Sequence, residues 1–309
     1  MPPSQVGVAA DVMVTKDQLE YLKTELDAYK LSITIKANIG KHKPDNRKRG
    51  IWIEAGIHAR EWVSPGTALY IINELVTKYH SNRRYGKMVE NLDFYILPSA
   101  NPDGYEFSWT KDRFWRRTRS GPYCVKGTKR CCYGVDANRN WDFHWGEAGV
   151  SHIPCSEIYC GPKAESEIEV RNMAKWLMSH KEKLQASLSV HSYGNMWMWP
   201  YAYKEHTYPK NIDELKNISW DAANAIKAVD GTMYRVGSVA DILYACSGNS
   251  MDWAVNPKGP NITLSFALEI SEGPFNISSR HIIPVAKETW AGIMVVVDYM
   301  MRRLSNYSA

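Results

Sequence analysis

His58 and Glu61 stand three residues apart in the run Gly56-Ile57-His58-Ala59-Arg60-Glu61-Trp62, and a further imidazole follows far along the chain at His191. An H-x-x-E pair alone is a weak signal. In a chain with nine histidines it arises readily by chance, and a lone histidine is more often a cap or a packed core residue. Context strengthens the pair. A catalytic zinc needs three protein donors of nitrogen or oxygen type, with a fourth position left to water. His58 and Glu61 could supply two donors from one turn and His191 the third, and two histidines with one glutamate form a known catalytic zinc set. A ligating histidine also wants a carboxylate behind it to fix its tautomer, and Asp136 is the candidate behind His58.

These residues need elements to position them. Residues 16–30 place Leu19, Leu22, Leu26 and Tyr29 at helical spacing. Leu31–Ile35 alternates as a strand does, 41–49 reads as a polar turn, and Ile51–Ile57 reads as a second strand, so 31–57 is expected to form a hairpin. A helix over 64–80 is entered by Ser64-Pro65, and Leu92–Leu97 is a strand. Residues 99–160 form a long irregular stretch rich in glycine, cysteine and aromatics, of the kind that is functional or cross-linked. A helix over 163–183, a strand over 184–191, a helix over 211–230, a strand over 262–269 and a helix over 284–304 complete the pattern. Strands alternating with helices predict an α/β sandwich around a mixed sheet, in which ligand sites gather beyond strand ends. His58, His191 and Glu269 all fall at or just past such ends.

With 309 residues, 44% of them apolar, the chain can bury one large core, or one core and a small appendage. A net charge of +5 over this length is too weak to argue for nucleic acid. The cluster Arg113, Arg116, Arg117 and Arg119, judged by charge alone, reads as a solvated basic face. No apolar run approaches the ~18 residues of a membrane span. The opening Met1-Pro2-Pro3-Ser4 lacks a basic stretch followed by an apolar one, so no secretory signal is seen. Five of the six cysteines lie between 124 and 160 with no C-x-x-C pair, which favours disulfides over a thiolate zinc site. Sequons at Asn217, Asn261, Asn276 and Asn306 agree with an oxidising, extracellular setting.

Five motifs then carry a resemblance. The run from Gly56 to Trp62, Asn101-Pro102-Asp103-Gly104-Tyr105, Phe114-Trp115-Arg116-Arg117-Thr118-Arg119, Gly134-Val135-Asp136-Ala137-Asn138-Arg139-Asn140-Trp141 and Val190-His191-Ser192-Tyr193 stand in a fixed order. In order and spacing the chain resembles the digestive-type (A/B subfamily, M14-type) zinc metallocarboxypeptidases over about 34–304. The resemblance implies the metallocarboxypeptidase fold, a three-layer α/β/α sandwich around a mixed, mostly parallel twisted sheet. It implies one zinc ion per chain on His58, Glu61 and His191, and peptide or protein C-termini as substrates. It implies Glu269 as general base, with Glu272 as runner-up, and Arg116 as the donor to the carbonyl oxyanion. Arg139 with Asn138 would clamp the terminal carboxylate, a task that suits the planar guanidinium fork. Tyr244 takes the place of the family's capping tyrosine, and Arg60 and Arg113 match positions that guide the peptide.

Met251 stands where the basic-specific branch carries an acid. Met198, Ala202, Val239, Leu243, Cys246 and Ala267 match other pocket positions and are all uncharged, so an apolar or aromatic C-terminal residue is expected. Ala202 and Cys246 replace smaller residues, which points to a shallower pocket suited to aliphatic or medium side chains. By the same resemblance Cys132 pairs with Cys155; for Cys160 the expected partner is Cys124 or Cys131, and Cys246 is expected to be a buried free thiol.

Two stretches depart from the family. Residues 1–33 resemble a remnant of its pro-domain, and 34–309 resemble its catalytic domain without the first helix and strand. After Glu269 the chain reads Ile270-Ser271-Glu272, and 273–281 differs from the usual glycine- and aromatic-rich loop. The expected protein is a secreted, monomeric zinc exopeptidase without nucleic-acid or membrane partners. The alternative is a truncated, inactive or binding-only relative that retains zinc.

Overall fold

Strand β2 (Arg49–Ala55), which follows β1 (Ile35–Lys36), is buried at every position after its first. A strand buried on both faces belongs in the middle of a sheet, and both of its edges are taken. A computed structural model describes residues 35–36 and 48–307. In it β2 pairs in parallel with β3 (Leu92–Leu97) on one side and with β6 (Leu184–His191) on the other. β1 therefore has no access to β2 and pairs antiparallel with β3, at Ile96 and Tyr95. The hairpin expected over 31–57 is not formed among the described residues. The helix expected over 16–30, most of the strand 31–35 and turn 41–49, and the boundary at residue 33 lie outside them.

Beyond the small hairpin of β4 (Tyr123–Cys124) and β5 (Cys131–Cys132), three more strands complete the main sheet: β7 (Met196–Trp199), β8 (Arg235–Ser238) and β9 (Leu264–Glu269). The order is β1-β3-β2-β6-β9-β7-β8, with β3, β2, β6 and β9 mutually parallel and β7 antiparallel to β9. The sheet is mixed and mostly parallel. Side-chain alternation divides it into two faces. Ile51, Ile53, Leu188, Val190, Phe266 and Leu268 pack under the helices Val63–Lys78, Ile212–Asp230 and Ile282–Tyr307. On the other face Trp52 and Tyr95 meet the helix Ile168–Ser179 through Val170, Met173 and Leu177, and Met198 and Ala267 meet Ala202, Cys246 and Met251. This is the expected three-layer sandwich.

Several elements escape the sequence reading, β7 and the helices Arg83–Asn91 and Pro102–Thr110 among them. Met-Trp-Met-Trp of β7 is apolar throughout and shows no period of two. The helix Arg83–Asn91 is polar, and its start rests on Asn82, whose side chain accepts from the Arg84 and Tyr85 amides. The helix Pro102–Thr110 sits inside the supposed irregular stretch, capped by Asn101, which accepts from Gly104 N. That stretch is cross-linked by Cys132–Cys155, as expected, and by Cys124–Cys131. The second bridge corrects the pairing expected for Cys160. The β4–β5 ladder sets Cys124 directly opposite Cys131, while Cys160 is buried as a free thiol beside His152 Nδ1 at 3.5 Å. Cys246 is also free and buried.

Leu188 is fully buried on the face of β6 turned away from Ser189. Leu188→Ala is expected to lower the unfolding free energy by about 2–5 kcal/mol, read by denaturant titration. Bound zinc should remain, because the cavity opens on the opposite side of the sheet from the donors.

Candidate active site

The parallel pairing brings the expected residues to one edge of the sheet. His191 ends β6, Glu269 ends β9, and the two are register partners. His58 lies three residues past the end of β2. The turn that carries it needs Gly56, whose φ is +67° and whose added Cβ would sit 3.2 Å from Pro98 O. Ser64 ties this turn to the neighbouring strand, accepting from Gly56 N at 3.0 Å and donating to Val190 O. Glu61 closes the turn, its amide donating to His58 O at 3.2 Å.

The donor atoms of His58, Glu61 and His191 converge, and all three residues are buried. His58 Nδ1 lies 2.7 Å from Glu61 Oε1 and 3.2 Å from His191 Nδ1, and His191 Nδ1 lies 3.3 Å from Glu61 Oε2. Donors bound at 2.0–2.1 Å to a tetrahedral zinc are about 3.3 Å apart. The set therefore fits zinc in both chemistry and spacing. Burial alone would raise the Glu61 carboxyl, but the His58 charge and hydrogen bonds from both imidazoles hold it well below the usual carboxylate range. Ser192 N adds a hydrogen bond to Glu61 Oε2 at 3.1 Å.

Asp136 stands behind His58. Its Oδ1 accepts from His58 Nε2 at 3.1 Å and from Asn138 N at 3.0 Å, and its Oδ2 accepts from Arg116 Nε at 2.9 Å. Against a burial cost that would raise it, the charges of Arg116, His58 and Arg139 keep Asp136 well below its ordinary pKa. Arg116 Nη1 is 3.9 Å from Glu61 Oε1, so this cation sits between the two carboxylates.

Glu269 lines the same cleft, and its Oε2 has no hydrogen-bond partner among the described residues. Burial and then the Glu61 charge push it up to about 8 in the protein field alone, against His191, Arg116 and Arg139. A dication on the donors would oppose that rise. Arg139 is 2% exposed, held by Gly149 O at 3.0 Å and Asn138 O at 2.9 Å, and its Nη2 donates to Tyr244 Oη at 3.2 Å. Asn138 is fixed through Oδ1, which accepts from Ser250 N at 3.1 Å. These groups share a cleft whose wall includes Met198, Ala202, Val239, Leu243, Cys246, Met251 and Ala267.

Not every expected residue faces the cleft. Arg60 lies over the Phe275 ring at 4.5 Å and reaches Glu157 at 3.3 Å. Arg113 stacks on Trp62 at 3.5 Å and donates to the carbonyls of Arg60 and Phe275. Both belong to the rim, engaged with the 273–277 loop. Glu272 is exposed. Two residues on the cleft side of the sheet went unnoticed in the sequence, Glu54 and Ser189. The available signal is polar side chains within strands that are otherwise apolar and buried. Asp252, next to Met251, is turned away from the cleft and accepts from Ala202 N at 2.9 Å and Tyr203 N at 3.0 Å.

A mixed α/β sheet with a buried His-Glu-His donor set at its strand ends has the donor chemistry of a catalytic-type zinc site. The zinc carboxypeptidase family (Peptidase_M14) matches residues 26–292, and the chain belongs to it. It is 40% identical over 266 residues to carboxypeptidase A2 of Rattus norvegicus, covering 85% of this chain and 61% of that protein. It is 38% identical over 253 residues to carboxypeptidase B of Astacus astacus, covering 81% of this chain and 80% of that one. The chain thus spans about three fifths of the length of the rat relative. Among solved structures, bovine thrombin-activatable fibrinolysis inhibitor, in complex with tick carboxypeptidase inhibitor, matches with a TM-score of 0.77. The two are 30% identical, and the match covers 93% of this chain and 96% of that one.

His58→Ala, Glu61→Ala and His191→Ala should each lose zinc during dialysis that the unaltered protein withstands, measured by elemental analysis of folded protein. A full equivalent of retained zinc in any one of them would remove that residue from the donor set.

Proposed function

We propose that this chain is a zinc-dependent exopeptidase that hydrolyses the C-terminal peptide bond and releases apolar or aromatic residues. The observation that carries the reading is the layout of one cleft. The cleft is lined by a buried guanidinium, Arg139, by the donors His58 and His191, by Glu269, whose Oε2 has no hydrogen-bond partner among the described residues, and by uncharged side chains that include Met198, Val239 and Met251. A substrate with a free carboxylate and an apolar last side chain matches that layout.

In this reading Arg139 and Asn138 bind the terminal carboxylate, and Tyr244, half exposed beside Arg139, closes over it. Arg116 donates to the scissile carbonyl oxygen as negative charge develops there. Glu269 accepts a proton from the attacking water and returns it to the leaving amine. Zinc on the donors would supply Lewis acidity and lower the pKa of water. Arg60 and Arg113 bear on the substrate at the rim, upstream of the scissile bond. The disulfides fit an extracellular protein, and among the described residues no helix is long and apolar enough to cross a membrane. We accordingly propose a secreted, monomeric enzyme acting on peptide and protein C-termini, with no nucleic-acid partner.

Blocked dipeptides ending in Phe, Leu or Arg test the proposal. Release of Phe and Leu should be abolished by a zinc chelator. Their kcat/KM should exceed that for Arg by about 10²-fold or more, because a cation in this pocket loses several kcal/mol of hydration without a counter-charge. A preference for Arg would overturn the specificity, and no release by zinc-loaded folded protein would favour a binding-only relative.

Glu269→Gln should lower kcat by about 10²–10⁴-fold with zinc retained. An unchanged kcat would move the general base elsewhere.

A further inference from the structure

The two zinc-type histidines are supported differently. His58 Nε2 meets the Asp136 carboxylate directly, whereas His191 Nε2 meets the hydroxyl of Ser189 at 2.8 Å. Ser189 in turn lies 2.8 Å from Glu54 Oε1. Glu54 and Ser189 are register partners on the neighbouring parallel strands β2 and β6, and Ser189 and His191 are two residues apart on one strand, hence on one face. The chain of contacts is therefore built by the sheet itself. We propose that Glu54 and Ser189 form a relay that holds the ring proton of His191 on Nε2 and presents Nδ1 to the metal, so that both act as positioning residues for zinc.

The direction of the relay follows from donor counting. The Ser189 hydroxyl donates its one proton to Glu54 Oε1, as it must when that carboxylate only accepts. Ser189 Oγ can then only accept from His191, which requires Nε2–H and leaves the lone pair on Nδ1. Nδ1 is the atom that faces His58 Nδ1 at 3.2 Å and Glu61 Oε2 at 3.3 Å. Ser250 Oγ, at 3.3 Å, fills the second acceptor position of Ser189. Asn138 Nδ2, a donor that would compete for that nitrogen, lies farther from His191 Nε2, at 3.4 Å against 2.8 Å for Ser189 Oγ, so the shorter contact sets the proton on Nε2.

Glu54 is 1% exposed, and its second oxygen accepts from Trp52 Nε1 at 3.3 Å. Among the described residues no basic side chain forms an ion pair with it. A buried carboxylate so placed needs a compensating charge. A dication on the donors, reached through Ser189 and His191, would supply one. Both histidines thus end on a buried carboxylate, one directly and one through a hydroxyl. His191 gains its hydroxyl because the residue on its side of the pleat, two positions earlier, is a serine.

The inference rests on the donor-set reading, which His191→Ala tests separately. The test is zinc affinity by competition with a chromogenic chelator at fixed pH, alongside the melting temperature of the zinc-free protein. Ser189→Ala should raise the zinc Kd by about 10–100-fold, the usual effect of removing such a support. Glu54→Gln, nearly isosteric, should weaken zinc in the same sense, and it carries the test if Ser189→Ala fails to fold. The double variant should bind zinc no more weakly than Ser189→Ala alone, because Glu54 acts through that hydroxyl. An unchanged Kd in the single variants, whatever the melting temperature does, would overturn the relay. So would fully multiplicative losses in the double variant.

Discussion

The structure has to accommodate a concentration of buried charge at the carboxyl ends of parallel strands. Glu54, Glu61 and Asp136 are almost wholly shielded from water together with His58, His191, Arg116 and Arg139. Isolated, each ionised group would cost several kcal/mol to bury. Together they offset one another. Arg116 is held by Asp136 and approaches Glu61, and Asp136 also supports His58. A divalent metal on the donors would complete the balance. The same arrangement explains why Glu61 is pulled down while Glu269, lying near it with one oxygen unpartnered, is pushed up. The two carboxylates are thereby differentiated.

Such a cluster is sustained by rigid backbone. Parallel β2, β6 and β9 end together, and their pleat sends Leu188, Val190, Phe266 and Leu268 into one core and Ser189, His191, Ala267 and Glu269 to the other side. A one-residue slip of any of these strands would exchange the two sets. The apolar face therefore enforces the register of the polar one. The three helices over that face hold the sheet, and the irregular segments on the other side, braced by the two disulfides, supply Arg116, Asp136, Asn138 and Arg139.

The pocket illustrates how much a single side-chain orientation decides. Met251 and Asp252 are adjacent, yet only Met251 reaches the cleft. Asp252 is consumed by the amides of Ala202 and Tyr203, and burial pushes it up to about 6. An acid is thus present in the segment without lining the cleft.

Local chemistry was legible in the chain itself. His58 and Glu61 are three residues apart, and the strands 92–97, 184–191 and most of 262–269 and the helices over 211–230 and 284–304 follow from periodicity. Cys132–Cys155 and the donor set follow from motifs whose order resembles a known family. What required tertiary structure was pairing between distant segments. β1 lies against β3 because β2 has no free edge. Cys124 meets Cys131 because a two-strand ladder sets them opposite, which leaves Cys160 alone. Arg60 and Arg113 turn to the rim because Phe275 offers a ring and a carbonyl there. Glu54 and Ser189 come together only through the register of two strands more than a hundred residues apart in sequence. Residue type and spacing report what one turn or one strand can do. Which distant side chains share a low-dielectric volume is decided by strand order and register, and these depend on the packing of the whole core.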